Sequence, residues 1–97
     1  MIQSFKNPAT EDIFNGLQSK RALKLCPLSL WKPAFRKLDQ LDSVTTLQEL
    51  RIPPGNRLES LSGERKGQFS IRINNQYRIC FQWGVNGPEQ VEVVDYH

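Results

Sequence analysis

The chain has 97 residues, a formal net charge of +3 at pH 7, 38% hydrophobic and 24% charged residues, two cysteines and one histidine. That length suits a single domain, residues 1–97, with one core. No disulfide framework or metal-ligand spacing emerges from two cysteines and one histidine, and buried thiols are the favoured reading. A mildly basic balance permits a nucleic-acid partner without demanding one.

In chain order, Ile2 to Lys6 reads as a short strand that stops at Asn7-Pro8. No apolar run reaches signal-peptide or membrane-spanning length, so a cytoplasmic protein with no membrane partner is expected. Thr10 predicts a helix N-cap, with Glu11 and Asp12 in the first turn where the helix dipole favours negative charge. Ile13, Phe14 and Leu17 share one side of that helix, and Gly16 closes it. Gln18 to Lys24 is polar and basic and reads as a connection. A second helix starts near Leu28 or Ser29, since Pro27 and Pro33 are tolerated only in a first turn. Ala34, Leu38 and Leu41 recur at helical spacing, with Trp31 and Phe35 flanking them, and Ser43 ends the run. Thr46 and Glu49 have capping-box spacing ahead of a last short turn through Leu47 and Leu50. Six basic residues and no acidic one fall between Lys20 and Lys37. A solvated helix face explains such a run, and so does contact with RNA or an acidic partner.

Pro53-Pro54-Gly55-Asn56 marks a rigid turn, and Leu58 and Leu61 a short edge strand. Ser62 to Gly67 is a glycine-bounded loop. Phe69, Ile71 and Ile73 then alternate with polar residues, as do Tyr77, Ile79, Phe81 and Trp83. Strand side chains switch faces at every residue, so this is a β-hairpin with one apolar face. Apolar residues meet across it only if Ile73 faces Tyr77, Ile71 faces Ile79 and Phe69 faces Phe81. Asn74, Asn75 and Gln76 are left as the turn, and Asn tolerates the left-handed backbone such turns use. Gly84 to Pro88 makes the next turn and Val91 to Tyr96 the last strand. Helices early and strands late predict an α+β fold: two helices packed on one face of a mostly antiparallel sheet of four to five strands.

The same register sets Arg72 opposite Arg78 on the polar face, where like charges destabilise each other. Two crowded arginines predict an anion between them. From Arg57 to Trp83 there are five basic residues (Arg57, Arg65, Lys66, Arg72, Arg78) against Glu59 and Glu64, a surplus equal to that of the whole chain. An open sheet face that binds phosphate is therefore expected. The chain ends Val94-Asp95-Tyr96-His97. Imidazole titrates near neutral pH, tyrosine stacks or donates a hydrogen bond, and aspartate orients a histidine. A base, a cation and an acid suffice to cut RNA through its 2′-hydroxyl without metal. A frayed terminal histidine, a packed tyrosine, and arginines paired with Glu92 and Glu59 are the competing reading. No two helices have helix-turn-helix spacing, which disfavours a DNA-binding repressor.

Pro53-Pro54-Gly55-Asn56-Arg57-Leu58, then Gly63, Arg65 and Gly67, then Ser70-Ile71-Arg72, Gln76-Tyr77-Arg78-Ile79-Cys80-Phe81 and Val94-Asp95-Tyr96-His97 resemble the HigB family of RelE-like toxins, from type II toxin–antitoxin systems. Ile2 and Ser4-Phe5 fit as well. The resemblance implies a ribosome-dependent mRNA endonuclease that acts in the ribosomal A site without metal or other cofactor. It implies a HigA-type helix-turn-helix antitoxin as partner, with operator DNA reached only through that antitoxin. Carried over by position, Arg78 would hold the scissile phosphate. Asp95, Tyr96 and His97 would supply acid–base and stacking groups, and Arg57, Arg65, Lys66 and Arg72 would bind RNA. Some members have His where this chain has Glu59 and Lys where it has Ser62. Both differences remove positive charge. Glu59 remains a candidate general base, and slow cleavage is expected. The alternative is a non-catalytic RNA- or ribosome-binding module.

Overall fold

The computed structural model describes residues 1–96; the His97 side chain, a candidate acid–base group, lies outside the described residues. Three α-helices, α1 (Pro8–Phe14), α2 (Lys20–Leu25) and α3 (Trp31–Ser43), precede four strands, β1 (Glu59–Ser60), β2 (Gln68–Arg72), β3 (Tyr77–Gly84) and β4 (Gly87–Asp95).

Asn7, not Thr10, caps α1. Its Oδ1 accepts the Thr10 N–H at 2.8 Å, and Pro8 fills the first helical position, where a missing N–H costs nothing. Thr10 is instead buried, and its hydroxyl accepts the Val93 N–H at 3.1 Å, tying α1 to β4. The expected connection from Gln18 to Lys24 is mostly helix. Ser19 caps α2 by accepting the Ala22 N–H at 3.2 Å, and also donates to Asp12 at 2.6 Å. A six-residue helix is too short to declare itself by periodicity and depends on its tertiary neighbours. α3 begins at Trp31 after a 3₁₀ turn and buries Trp31, Ala34, Leu38 and Leu41, the spacing read from the sequence. The capping box at Thr46 and Glu49 is present and opens the 3₁₀ turn Leu47–Arg51.

The sheet is antiparallel in the order β1-β2-β3-β4. The hairpin register is the expected one, with Phe69 opposite Phe81, Ile71 opposite Ile79 and Arg72 opposite Arg78. Ile71, Ile79, Phe81, Val91 and Val93 form one core with the buried residues of the three helices. Burying each such large side chain stabilises by about 1.5–3 kcal/mol. The N-terminal segment contributes less than a strand: Phe5 forms one parallel bridge to Val91 at the free side of β4. The hairpin turn closes differently from expectation. Neither Asn74 nor Asn75 has a positive φ; the Asn74 side-chain Oδ1 instead accepts the N–H groups of Gln76 at 2.9 Å and Tyr77 at 2.7 Å. β4 starts at Gly87, four residues before the expected Val91, and a bulge opposite Cys80 and Gln82 keeps its later residues in register.

Candidate active site

The face of the sheet away from the helices is less open than expected. Facing pairs put Glu59, Ser70, Cys80 and Glu92 in one row across it, and Arg72, Arg78 and Val94 in the next. Ser70 and Cys80 are fully buried, and Arg78 is 8% exposed. The free surface is a cavity of about 260 Å³ at one end, lined by Arg57, Glu59, Arg72, Asn74, Asn75, Arg78 and Tyr96. Three guanidinium groups against one carboxylate give it a positive interior.

Arg78 forms the floor. Its Nε donates to Ser70 Oγ at 2.8 Å and its Nη2 to the Arg57 carbonyl at 2.7 Å. The Glu59 carboxylate stands 3.8 Å from Nη2, beyond hydrogen-bond reach. The Tyr96 ring lies 5.6 Å from the guanidinium carbon, a cation–π distance. Arg57 reaches the cavity from a left-handed backbone, φ +46°, just after the 3₁₀ turn Pro54–Asn56. A non-glycine residue held there needs support from its surroundings. Asn56 supplies it: fully buried, its amide donates to the Leu50 carbonyl and to Gln40 on α3, both at 3.0 Å, and its oxygen accepts from Lys37. Arg72 donates to Asn75 across the hairpin turn, which fixes one lip of the cavity.

Of the residues singled out in the sequence, Arg57, Glu59, Arg72, Arg78 and Tyr96 come together. Arg65 lies on the same face but outside the cavity. Its Nη1 donates to Glu92 at 2.8 Å and Gln68 at 3.1 Å, and the Glu92 bond pushes its pKa further up. Lys66 is exposed on the adjoining loop and does not line the cavity. Asp95 faces Tyr77, on the opposite side of β4 from Tyr96, and accepts from the Gln76 amide at 3.0 Å. Ser70 and Asn56 were read only as strand and turn residues. Their burial depends on neighbours far along the chain. A larger cavity, about 350 Å³, borders the N-terminal segment, where the cation Lys6 is accompanied by Glu11. It lacks clustered cations and carries no comparable case for phosphate.

A small antiparallel sheet with helices on one face and an arginine-lined cleft on the other defines a class of small RelE-like toxins. The solved structure titled YoeB–YefM complex from Staphylococcus aureus has the same fold, with a TM-score of 0.61 at 16% identity, over 100% of this chain and 98% of that one. Residues 3–97 match the family described as the RelE-like toxin of type II toxin–antitoxin system HigB. Toxin HigB-1 of Vibrio cholerae serotype O1 is 41% identical over 97 residues, covering 100% of this chain and 98% of the relative. A protein of Haemophilus influenzae is 38% identical over 60 residues, 62% of this chain and 59% of its own. The chain belongs to the HigB family of type II toxin–antitoxin toxins.

Proposed function

We propose that this toxin is a ribosome-dependent mRNA endonuclease that cuts the message in the A site. In the reaction the ribose 2′-oxygen bonds to the adjacent phosphorus and the bond from phosphorus to the 5′-oxygen breaks. A base takes the 2′-hydroxyl proton and an acid protonates the leaving oxygen, giving a cyclic phosphate and a 5′-hydroxyl. Arg78 stabilises the phosphorane charge, Tyr96 stacks on the nucleotide, and Glu59 is the carboxylate nearest the reacting phosphate. His97 completes the acid–base set at the chain terminus, and Asp95 orients it. Arg57 and Arg72, with Lys66 and Arg65 at the margin, hold the RNA backbone. The observation that carries this reading is Arg78: a buried cation at a cavity floor whose two hydrogen-bond acceptors are both uncharged oxygens, with Glu59 at 3.8 Å.

The partner is a HigA-type antitoxin, through which alone the toxin reaches operator DNA. Support comes from membership of a toxin–antitoxin family and from the staphylococcal relative, whose structure is of a YoeB–YefM complex. The site of action is the cytoplasm, where ribosomes are; among the described residues no helix is long and apolar enough to cross a membrane.

Induced expression in bacteria should arrest growth, and Arg78→Ala should relieve the arrest. Single-turnover cutting of ribosome-bound message should fall about 10²–10³-fold in the same variant, the usual cost of losing one transition-state charge donor. Arrest that survives Arg78→Ala would leave a non-catalytic ribosome-binding module as the function.

A further inference from the structure

We infer that Ser70 is a positioning residue: with the Arg57 carbonyl it forms an uncharged cradle that orients the Arg78 guanidinium while leaving its charge for phosphate. The inference rests on the reading of the cleft as an RNA-cleaving site and adds to it a residue that touches no substrate.

The Arg78 side chain is only 10% exposed. A buried guanidinium is unfavourable unless its N–H groups are bonded, and a carboxylate is the usual partner. Here both oxygens within hydrogen-bond distance, Ser70 Oγ at 2.8 Å and the Arg57 carbonyl at 2.7 Å, are neutral. Arg65, on the same face of the sheet, shows the contrast. It bonds the Glu92 carboxylate directly at 2.8 Å, so its charge is already matched. A neutral acceptor fixes the plane of the guanidinium without cancelling its charge. A guanidinium has five N–H donors, and two are occupied, so three are left for an anion.

Both halves of the cradle are themselves fixed. Ser70 is fully buried at mid-strand, between Glu59 on one side and Cys80 on the other. The Arg57 carbonyl is held by the left-handed turn that buried Asn56 anchors to α3. Without the Ser70 hydroxyl, the Nε–H has no partner, and the guanidinium is free to swing the short distance to Glu59. Its charge would then be spent within the protein.

The test is single-turnover cutting at saturating ribosome-bound message. Ser70→Ala should lower the rate constant about tenfold, the scale of an unpaired buried donor, while the half-saturating concentration stays within about twofold. Ser70→Thr, which keeps the hydroxyl, should recover most of the rate. In an Arg78→Lys background, which has no Nε–H, Ser70→Ala should have no further effect. An equal loss in that background, or a loss that merely follows the melting temperature, overturns the proposal. A second readout does not need cleavage. The Arg78 Nε–H resonance should be protected from exchange in the wild type, shift on titration with inorganic phosphate, and lose protection in Ser70→Ala. A protected, phosphate-responsive Nε–H in a protein that cuts no message would keep the cradle and discard the nuclease reading. Free exchange of that proton in the wild type would discard the cradle.

Discussion

Glu59 stands 3.8 Å from the Arg78 guanidinium at the mouth of the cavity, with its own side chain 55% exposed. An exposed carboxylate so placed repels an arriving phosphate and also draws on the charge meant for it. Solvent screening keeps the effect modest, since pairs of this kind are worth about 0–1 kcal/mol. Glu59→His removes the negative charge and supplies an imidazole that titrates near neutral pH. Single-turnover cutting should rise, by up to about fivefold, and the gain should shrink as salt is added. A rate that fell or stayed level would show Glu59 to be a working base, or irrelevant to the cleft. The sequence made this pair legible in part, because arginines paired with Glu92 and Glu59 were the competing reading of the polar face. It did not reveal the left-handed Arg57, whose carbonyl, rather than Glu59, takes up the Arg78 Nη2.

Alternation and a short turn at Asn74 to Gln76 together point to the hairpin register: this pairing keeps Phe69, Ile71, Phe81 and Ile79 on one face, and a slip of one residue would turn one strand's set away. The mechanism of its turn was not legible. Asparagine serves a left-handed backbone and a side-chain-closed turn equally well, and only the folded geometry chooses between them. Thr10 and Arg65 escaped for another reason: their partners, Val93 and Glu92, lie 83 and 27 residues away. Short helices such as α2 fail because six residues display fewer than two turns of pattern. The turn prediction follows from its two bonds. Asn74→Ala removes both acceptor contacts, to Gln76 and Tyr77, and should cost about 2 kcal/mol at roughly 1 kcal/mol per bond. Urea unfolding checks it: the midpoint should fall with an unchanged slope. Cutting should weaken too, since Asn75 and Arg72 share that lip of the cavity. An unshifted midpoint would mean that the backbone alone closes the turn.

Helices and sheet share one set of buried side chains, and the Thr10–Val93 bond joins them where no water reaches. Such continuity predicts that the chain opens as one cooperative unit instead of shedding its helices first. Two native thiols report on the two layers. Cys26 ends α2 in the helical layer, and Cys80 sits in β3 on the far face of the sheet; both are fully buried. Burial pushes the Cys26 thiol up to about 11 and raises Cys80 as well. At pH 8 the reactive thiolate is then roughly one part in a thousand for Cys26, so an alkylating reagent should leave the native protein unmodified. Under rising urea, both cysteines should become labelled with the same midpoint and the same denaturant dependence, read residue by residue by mass spectrometry. Labelling of Cys26 at clearly lower urea than Cys80 would show the helices detaching as a unit of their own. The Asn56 turn, anchored to Lys37 and Gln40 of α3, would come loose with them, and phosphate binding should weaken at that same lower urea. If the two thiols report together, any substitution that frees the helical layer should disable the cleft with it.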